Sequence, residues 1–482
     1  MAFFFILREL DKTNSIFKDK IQINQRDFYV LFAYLIFLLV FSWSFLNDDL
    51  AQDEWYNAER SQMVSLVFAM KALSHFSTWS RFAFQKIIWL LNLFALIFSL
   101  GYLFLFKSKK PFFIGSVILF FLTCRIGVIM LGGYSDKHSP FRTFPMWLSS
   151  AILGPTALGL HFAQLGGLLL LSAVVFFFVK NRTSFWFGTF TGLSVATIPL
   201  LWHVGIICES SIWAALVWSI LVLFNFSLDV ESETNWIRLY SILSLGTLMR
   251  ETVFWGFVPL FFAHIYFERH RLHDWKKILK MISPAFVCVP YLLQLTLGGT
   301  PATQGSKGYR FGEGLSFLYI FQNIQKDLGV VATLLLLFSF VPLRKTKIPH
   351  VLLLLIFFFG ALAMFYSLNP GLWGVGRYKA EYAVPFSVMG LVGLSIFCYS
   401  LPRFVSKAYI VMLIGFIILN TIHFTHLTQD NAPVDARYHL RWDKTKILST
   451  FVYPYEISLR EMKDSGFASK HFIAGAISKY VN

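Results

Sequence analysis

The chain has 482 residues, of which 56% are hydrophobic and only 14% are charged. Soluble globular domains carry about 25% charged residues, so this composition excludes an ordinary soluble protein and indicates one that crosses a membrane many times. The formal net charge of +16 does not indicate a nucleic-acid partner, because the cations lie in short clusters between apolar segments, as membrane topology requires.

The apolar segments predict an all-α, polytopic transmembrane helical bundle, since a spanning helix needs about 20 mainly apolar residues. Residues 1–27 are expected to form an interfacial N-terminus on the cytoplasmic face, 28–426 the transmembrane domain, and 427–482 a tail on the outer face. About thirteen spans are predicted, at 28–46, 87–106, 111–131, 157–179, 185–203, 212–228, 239–249, 252–267, 279–297, 329–343, 350–366, 384–401 and 408–426.

The charges of the loops set the orientation, because cytoplasmic loops carry an excess of Lys and Arg. With a cytoplasmic N-terminus, basic clusters such as KSKK (107–110) and RKTK (344–347) fall inside, and DVESETNWIR (229–238) is the exception. The acid-rich loop after the first span and the loops at 298–314 and 367–382 then fall outside. We predict a multi-pass protein of the bacterial inner membrane, with its C-terminus outside.

Acidic residues gather directly after the first span, in NDDLAQDEWYNAERSQ (47–62), although the whole chain has only 26 Asp and Glu. Asp53 and Glu54 lie at the centre of this loop. A carboxylate at a low-dielectric boundary has a raised proton affinity, which suits a general base. The alternative is a solvated loop whose acids cap helix N-termini.

Cations near the outer ends of other spans predict an anion site. Arg250 and Glu251 (TLMRETVFW) separate two apolar stretches, and ionisable residues in a membrane are functional by default, although a structural ion pair is the alternative. Arg377 and Lys379 (GRYKAEY) open a later span and, with Arg250, carry enough charge for a phosphate. Arg125 (FFLTCRIGVIML) is a further candidate, for which snorkelling to the interface is the alternative.

Glu209 (HVGIICESSIW) lies at the outer end of another apolar span, where helix capping through Ser210 or Ser211 is the alternative role for this segment. Acids and phosphate-binding cations at one membrane surface predict a catalytic cavity on the outer face. There, a base would activate an acceptor hydroxyl and the cations, or a divalent metal, would stabilise a departing lipid phosphate.

At this point the sequence resembles the integral-membrane glycosyltransferases of the C-type superfamily, in particular the protein mannosyltransferases and the lipid A aminoarabinose transferases. The likeness extends over most of residues 28–400. It implies an inverting transfer of a sugar, hexosyl or pentosyl, from a polyprenyl-phosphate carrier to a glycan, lipid or protein acceptor. The stretches that carry it are DEWYNAERSQ, SPFRTFPMWLSSAILGPTALGLHFAQLGGLLLLSAVVFFFV, TLMRETVFWGFVPLFF and GRYKAEYAVPF.

The resemblance implies roles for individual residues: Asp53 as the base with Glu54 beside it, Glu209 as the acid of a second outer loop, and Arg250 and Arg377 facing the carrier phosphate.

Two departures affect these assignments. The predicted hairpin at 87–131 is one more than the resemblance implies, and the stretch HSPFRTF lacks paired prolines. If the hairpin shifts the loops, Asp136 competes with Glu209, and His138 could join Asp136 at a metal. We expect no obligatory cofactor, with a divalent cation as the alternative.

Other classes of function make different demands on the sequence. A transporter or lipid flippase is typically built from matching halves with charges near the bilayer midplane, whereas no matching halves are found here and the charged motifs gather at one face. A polysaccharide polymerase or ligase usually has a large outer loop with its own Arg and His. A non-catalytic scaffold subunit would need none of Asp53, Arg250 or Arg377.

Overall fold

The structure is a computed structural model, and it describes residues 24–46, 144–153, 157–206, 210–225, 233–269, 274–288 and 379–425. Within these ranges every regular element is a helix, which confirms the predicted all-helical class. Two of the elements are 3₁₀ helices, Glu251–Gly256 and Ser283–Cys288. The α-helices are α1 Gln25–Leu46, α2 Phe144–Leu153, α3 Ala157–Lys180, α4 Phe185–Ala196, α5 Pro199–Val204, α6 Ser211–Asn225, α7 Glu233–Met249, α8 Phe257–Phe267, α9 Trp275–Ile282, α10 Lys379–Tyr399 and α11 Arg403–Thr425.

Three helices in the described part of the chain are long and apolar enough to cross a membrane: α1 over Gln25–Trp43, α3 over Leu158–Lys180 and α11 over Arg403–Ile422. The protein is therefore a multi-pass membrane protein. Within these spans, the buried share of the most apolar 18-residue window is 72% in α3, 22% in α1 and 33% in α11, so α3 is the most central of the three helices. The total of about thirteen spans and their orientation remain predictions.

The predicted span at 185–203 is wrong as a single helix. α4 ends at Ala196, and α5 begins at Pro199 after an extended residue, Ile198. Proline lacks an amide hydrogen and disfavours helical geometry in the residue before it, so it ends one helix and begins the next. The 12 residues of α4 extend only about 18 Å, which is shorter than the apolar core of a bilayer.

Other predicted boundaries also shift. The span predicted at 279–297 instead begins with a short amphipathic helix, α9, and a 3₁₀ helix that contains Pro284. The short span predicted at 239–249 is the end of α7, which has 17 residues. α2 occupies a segment where no span was predicted. The spans predicted at 87–106, 111–131, 329–343 and 350–366 lie outside the described residues.

Contacts between α1 and α3 define two ends of the bundle. The Asp27 carboxylate near the start of α1 binds the Lys180 ammonium at the end of α3, at 2.6 Å. The Leu46 carbonyl at the end of α1 lies 3.0 Å from Nδ1 of His161, near the start of α3. These helices are therefore antiparallel. We call the end that holds Asp27 and Lys180 the lysine end, and the end that holds Leu46 and His161 the arginine end, because Arg250 also lies there.

The chain returns to the arginine end through α4 and α5. α4 begins at the lysine end, directly after α3. On α5, the Trp202 indole N–H donates to the Ser42 hydroxyl, one turn before the end of α1, at 2.7 Å. α6 starts at the same end, where the Trp213 indole N–H donates to Oε1 of Gln164 on α3 at 3.1 Å.

The helix α10 runs antiparallel to α4 and begins at the arginine end. The ring of Phe187, in the first turn of α4, lies 5.5 Å from that of Tyr399 at the end of α10. Further along α4, Oγ1 of Thr191 lies 2.7 Å from Oγ of Ser395, which is earlier in α10. Since residue numbers rise along α4 while those of its partners fall, the first residue of α10, Lys379, lies toward the arginine end.

The close approach of α3 and α4 depends on two glycines one turn apart. A Cβ atom at Gly188 would lie 2.8 Å from the carbonyl oxygen of Phe176, and one at Gly192 would lie 2.9 Å from that of Ser172. Both distances are too short for a carbon beside a backbone oxygen. Small residues are the usual means by which membrane helices pack this closely.

Replacing Gly192 with Ala is expected to destabilise the protein by about 1–3 kcal/mol, because the added methyl forces α4 away from α3. The measurement is the midpoint of thermal unfolding of the purified full-length chain in detergent. Gly415→Ala on α11 is the matched control, since nothing lies within 4 Å of its new Cβ. The control should be neutral or stabilised by up to about 1 kcal/mol. Equal midpoints for the two variants would contradict the proposed packing.

Candidate functional site

The structure describes two of the predicted site residues, Arg250 and Lys379, and of Lys379 it describes only the backbone at the start of α10. The remaining predicted site residues lie outside the described ranges: Asp53, Glu54, Arg125, Asp136, His138, Glu209 and Arg377.

Arg250 lies where α7 ends. Its amide donates to the Gly246 carbonyl at 2.7 Å, which completes the last helical turn. Its own backbone is extended, with φ −149° and ψ 123°, and a 3₁₀ helix begins at the next residue. The chain thus changes direction at this position, and a charged side chain stands at the change. The side chain is only 1% exposed, and Arg250 is among the largest fully buried residues in the described part of the chain.

The Arg250 guanidinium joins the end of α7 to the start of α6. Its Nη1 donates to the Ser210 hydroxyl at 2.9 Å, and Ser210 is itself fully buried. The Ser210 carbonyl accepts the amides of Trp213 and Ala214, at 3.1 and 3.2 Å, so this residue also caps α6. The hydroxyl is thereby used for the guanidinium while the backbone caps the helix. Burying a guanidinium costs several kcal/mol unless polar partners compensate for the lost water. The hydrogen bond from Arg250 to Ser210 offsets part of that cost.

The segments that carry the predicted acids adjoin, in sequence, residues that lie at this end of the bundle. Glu209 immediately precedes Ser210, the residue that receives the Arg250 hydrogen bond. The loop that carries Asp53 follows α1, which ends at the arginine end. Arg377 shortly precedes α10, which begins toward the same end. The described helices that flank the predicted acidic and basic segments therefore converge on one end of the bundle.

Several buried polar residues at the arginine end were missed at the level of sequence. His161 and Gln164 on α3 and His203 on α5 are 3%, 0% and 1% exposed. Each of these residues interrupts an apolar run. A polar residue inside a predicted span is the sequence signal that identifies such positions. Gln164 holds α6 through Trp213, and His161 holds the end of α1, so both position helices that lead into the candidate site.

A metal centre is not evident in the part of the chain that the structure describes. No three His, Cys, Asp or Glu side chains among those residues are grouped so that they could hold a metal ion. The alternative pair of Asp136 and His138 lies outside that part.

No protein-family model matches the chain, and none of the curated proteins compared with it does. Among solved structures, it is similar to ArnT from Cupriavidus metallidurans bound to undecaprenyl phosphate, with 13% identity, a TM-score of 0.41, and coverage of 63% of this chain and 65% of that one. It is also similar to the Archaeoglobus fulgidus oligosaccharyltransferase in complex with Zn and sulfate, with 15% identity, a TM-score of 0.36, and coverage of 70% and 53%.

The chain thus spans less than two thirds of the length of each of these structures. The resemblance of the sequence to the C-type superfamily stays a prediction.

Proposed function

We propose that this protein is an inverting glycosyltransferase that moves a sugar from a polyprenyl-phosphate carrier to an acceptor hydroxyl at the outer membrane–water interface. The observation that carries the proposal is the buried Arg250 guanidinium, bonded to Ser210 at the end of the bundle toward which the helices bearing the acidic and basic motifs lead. A buried cation in a membrane protein is retained for a purpose, and an anionic lipid phosphate is the ligand that it and Arg377 suit.

The proposed reaction balances without a cofactor. Asp53 accepts the proton of the acceptor hydroxyl, and the acceptor oxygen attacks the anomeric carbon from the face opposite the carrier. The bond between that carbon and the carrier phosphate breaks, and the phosphate leaves with the electron pair. Arg250, Arg377 and Lys379 stabilise the charge that develops on it. Attack from the opposite face inverts the anomeric configuration.

The remaining candidates have secondary roles. Glu54 shapes the field around Asp53, Glu209 orients the acceptor or the sugar, and Arg125 adds positive charge near the carrier. Asp136 is the alternative to Glu209 as the second acid, and His138 would join Asp136 if a divalent cation acts there as a further electrophile. We place the protein in the bacterial inner membrane, with the N-terminus in the cytoplasm and the C-terminal tail outside.

The test is transfer by the full-length chain reconstituted in liposomes with radiolabelled hexosyl and pentosyl undecaprenyl phosphates and a crude envelope extract as acceptor. We expect labelled product together with stoichiometric undecaprenyl phosphate, and the opposite anomeric configuration by NMR. A transporter or flippase would instead move a fluorescent lipid-linked sugar between leaflets without breaking the glycosidic phosphate bond. Movement without cleavage would contradict the proposed enzyme and support that alternative.

A further inference from the structure

The short helix α9 presents three different sectors. One packs on the protein, where Met281 is fully buried. A second is apolar and open, with Trp275 and Leu279 exposed by 60% and 42%. The third is basic, with Lys276 and Lys280 both exposed. Because residues four apart share a helix face, the apolar and the basic pair form two adjacent stripes.

Ion pairs join α9 to the start of α7, and a side-chain cap begins α9. The Glu233 carboxylate forms ion pairs with two ammonium groups, that of Lys277 at 2.7 Å and that of Lys280 at 3.3 Å. Asp274 caps α9 by accepting the amide of Lys277 at 3.2 Å. Since α7 ends at the arginine end, its first residue and α9 lie at the lysine end, where a membrane surface is expected.

We propose that α9 is a docking site for the head group of an anionic phospholipid, in the leaflet that meets the lysine end. Trp275 and Leu279 would lie at the level of the upper acyl chains, and the ammonium groups of Lys276 and Lys280 would bind the lipid phosphate. Trp beside Lys is the combination that anchors proteins at a membrane interface, because one part suits the acyl chains and the other the head groups.

The basic side chains of α9 can bind a lipid phosphate in addition to their contacts within the protein. Lys276 has no ion pair within the described ranges, and its ammonium lies 5.9 Å from the ring of Trp275. Lys280 is 66% exposed, and an exposed pair such as the one it forms with Glu233 contributes little, so it can share its ammonium with a phosphate. Arg269, exposed near the end of α8, adds a third cation at this end, with its guanidinium 5.4 Å from the ring of Tyr266. An acidic protein would suit the lysines, but the apolar stripe beside them favours a lipid.

The experiment titrates the purified full-length chain with palmitoyl-oleoyl phosphatidylglycerol, or with the corresponding phosphatidylcholine, and counts bound lipids by native mass spectrometry. The wild type should prefer phosphatidylglycerol. A lysine near an anionic surface contributes roughly a fivefold gain in affinity, so the Lys276→Gln/Lys280→Gln variant should lose roughly 25-fold in affinity for phosphatidylglycerol and little for phosphatidylcholine. No sugar donor is present, so the result does not depend on the proposed transferase activity.

Lys407→Gln is the matched control, because Lys407 is exposed near the start of α11 at the same end of the bundle. It should retain the preference. A roughly fivefold loss in this single-charge control, equal to that of Lys276→Gln alone, would show a general electrostatic effect and overturn the α9 site, as would equal binding of the two lipids by the wild type. If the double variant does not fold, Lys276→Gln alone, which breaks no ion pair in the described part of the chain, should still lose roughly fivefold.

Discussion

Asp53→Asn is expected to abolish sugar transfer while the protein still folds and still binds undecaprenyl phosphate. The carboxamide has nearly the same shape as the carboxylate, but it cannot accept a proton from the acceptor hydroxyl. General-base catalysis contributes about 10²–10⁴-fold to a rate, so turnover should fall by at least about 100-fold. The measurement is single-turnover transfer of labelled sugar with donor and acceptor saturating, which isolates the chemical step from binding.

Asp49→Asn is the matched control for Asp53, because it removes one carboxylate from the same loop. If the loop acts only through its total negative charge, both variants should slow transfer equally. If Asp53 is the base, the control should retain most of its rate. Glu54→Gln gives the intermediate case, since Glu54 is proposed to shape the field without taking the proton. Near-normal turnover in Asp53→Asn would remove it as the base.

The long helices of this fold could be predicted from sequence because apolar length alone determines them. The spans predicted at 28–46, 157–179 and 408–426 correspond to α1, α3 and α11, with boundaries that differ by a few residues. A bilayer demands about 20 apolar residues with internally satisfied backbone groups, and few other structures meet that demand. Such helices therefore require little knowledge of the rest of the chain.

The spans predicted at 185–203 and 279–297 were wrong because the average hydropathy of each segment hid a local signal within it. Pro199 marks the break between α4 and α5, but the apolar run on both sides concealed it. Asp274 and the alternation of lysines with apolar residues in DWKKILKMI indicate a capped amphipathic helix, yet the apolar residues that follow extended the predicted span over it. In both cases the residue that decides the structure is a single polar or cyclic one.

The candidate site divides in the same way. A charge between two apolar stretches could be recognised from the sequence, and Arg250 is indeed buried. Its hydrogen-bond partner could not be recognised from the sequence, because Ser210 is 40 residues away and meets Arg250 only when α6 packs against α7. Hydropathy specifies which segments are helices, whereas their neighbours depend on side-chain packing that one sequence does not display.

Arg250→Gln is expected to weaken binding of undecaprenyl phosphate by about 10–100-fold, in line with about 1.5–3 kcal/mol for a hydrogen bond to a charged group. The acceptor KM should change little, because the guanidinium is proposed to contact the donor. Arg250→Lys should fall between, since an ammonium keeps the charge but cannot form two parallel hydrogen bonds with a phosphate. Binding is measured by titrating the full-length chain in nanodiscs with undecaprenyl phosphate.

Burial of Arg250 makes a purely structural role the sharpest alternative, and Ser210→Ala separates the two. This variant removes the hydroxyl that receives Nη1 but keeps the guanidinium and the backbone cap of α6. If Arg250 binds the donor, Ser210→Ala should retain most of the donor affinity, while Arg250→Gln loses it. If Arg250 only joins α6 to α7, both variants should lower the thermal midpoint by similar amounts and leave donor affinity unchanged. The second pattern would show that Arg250 has only a structural role. The cations that bind the carrier phosphate would then have to come from the segment around Arg377.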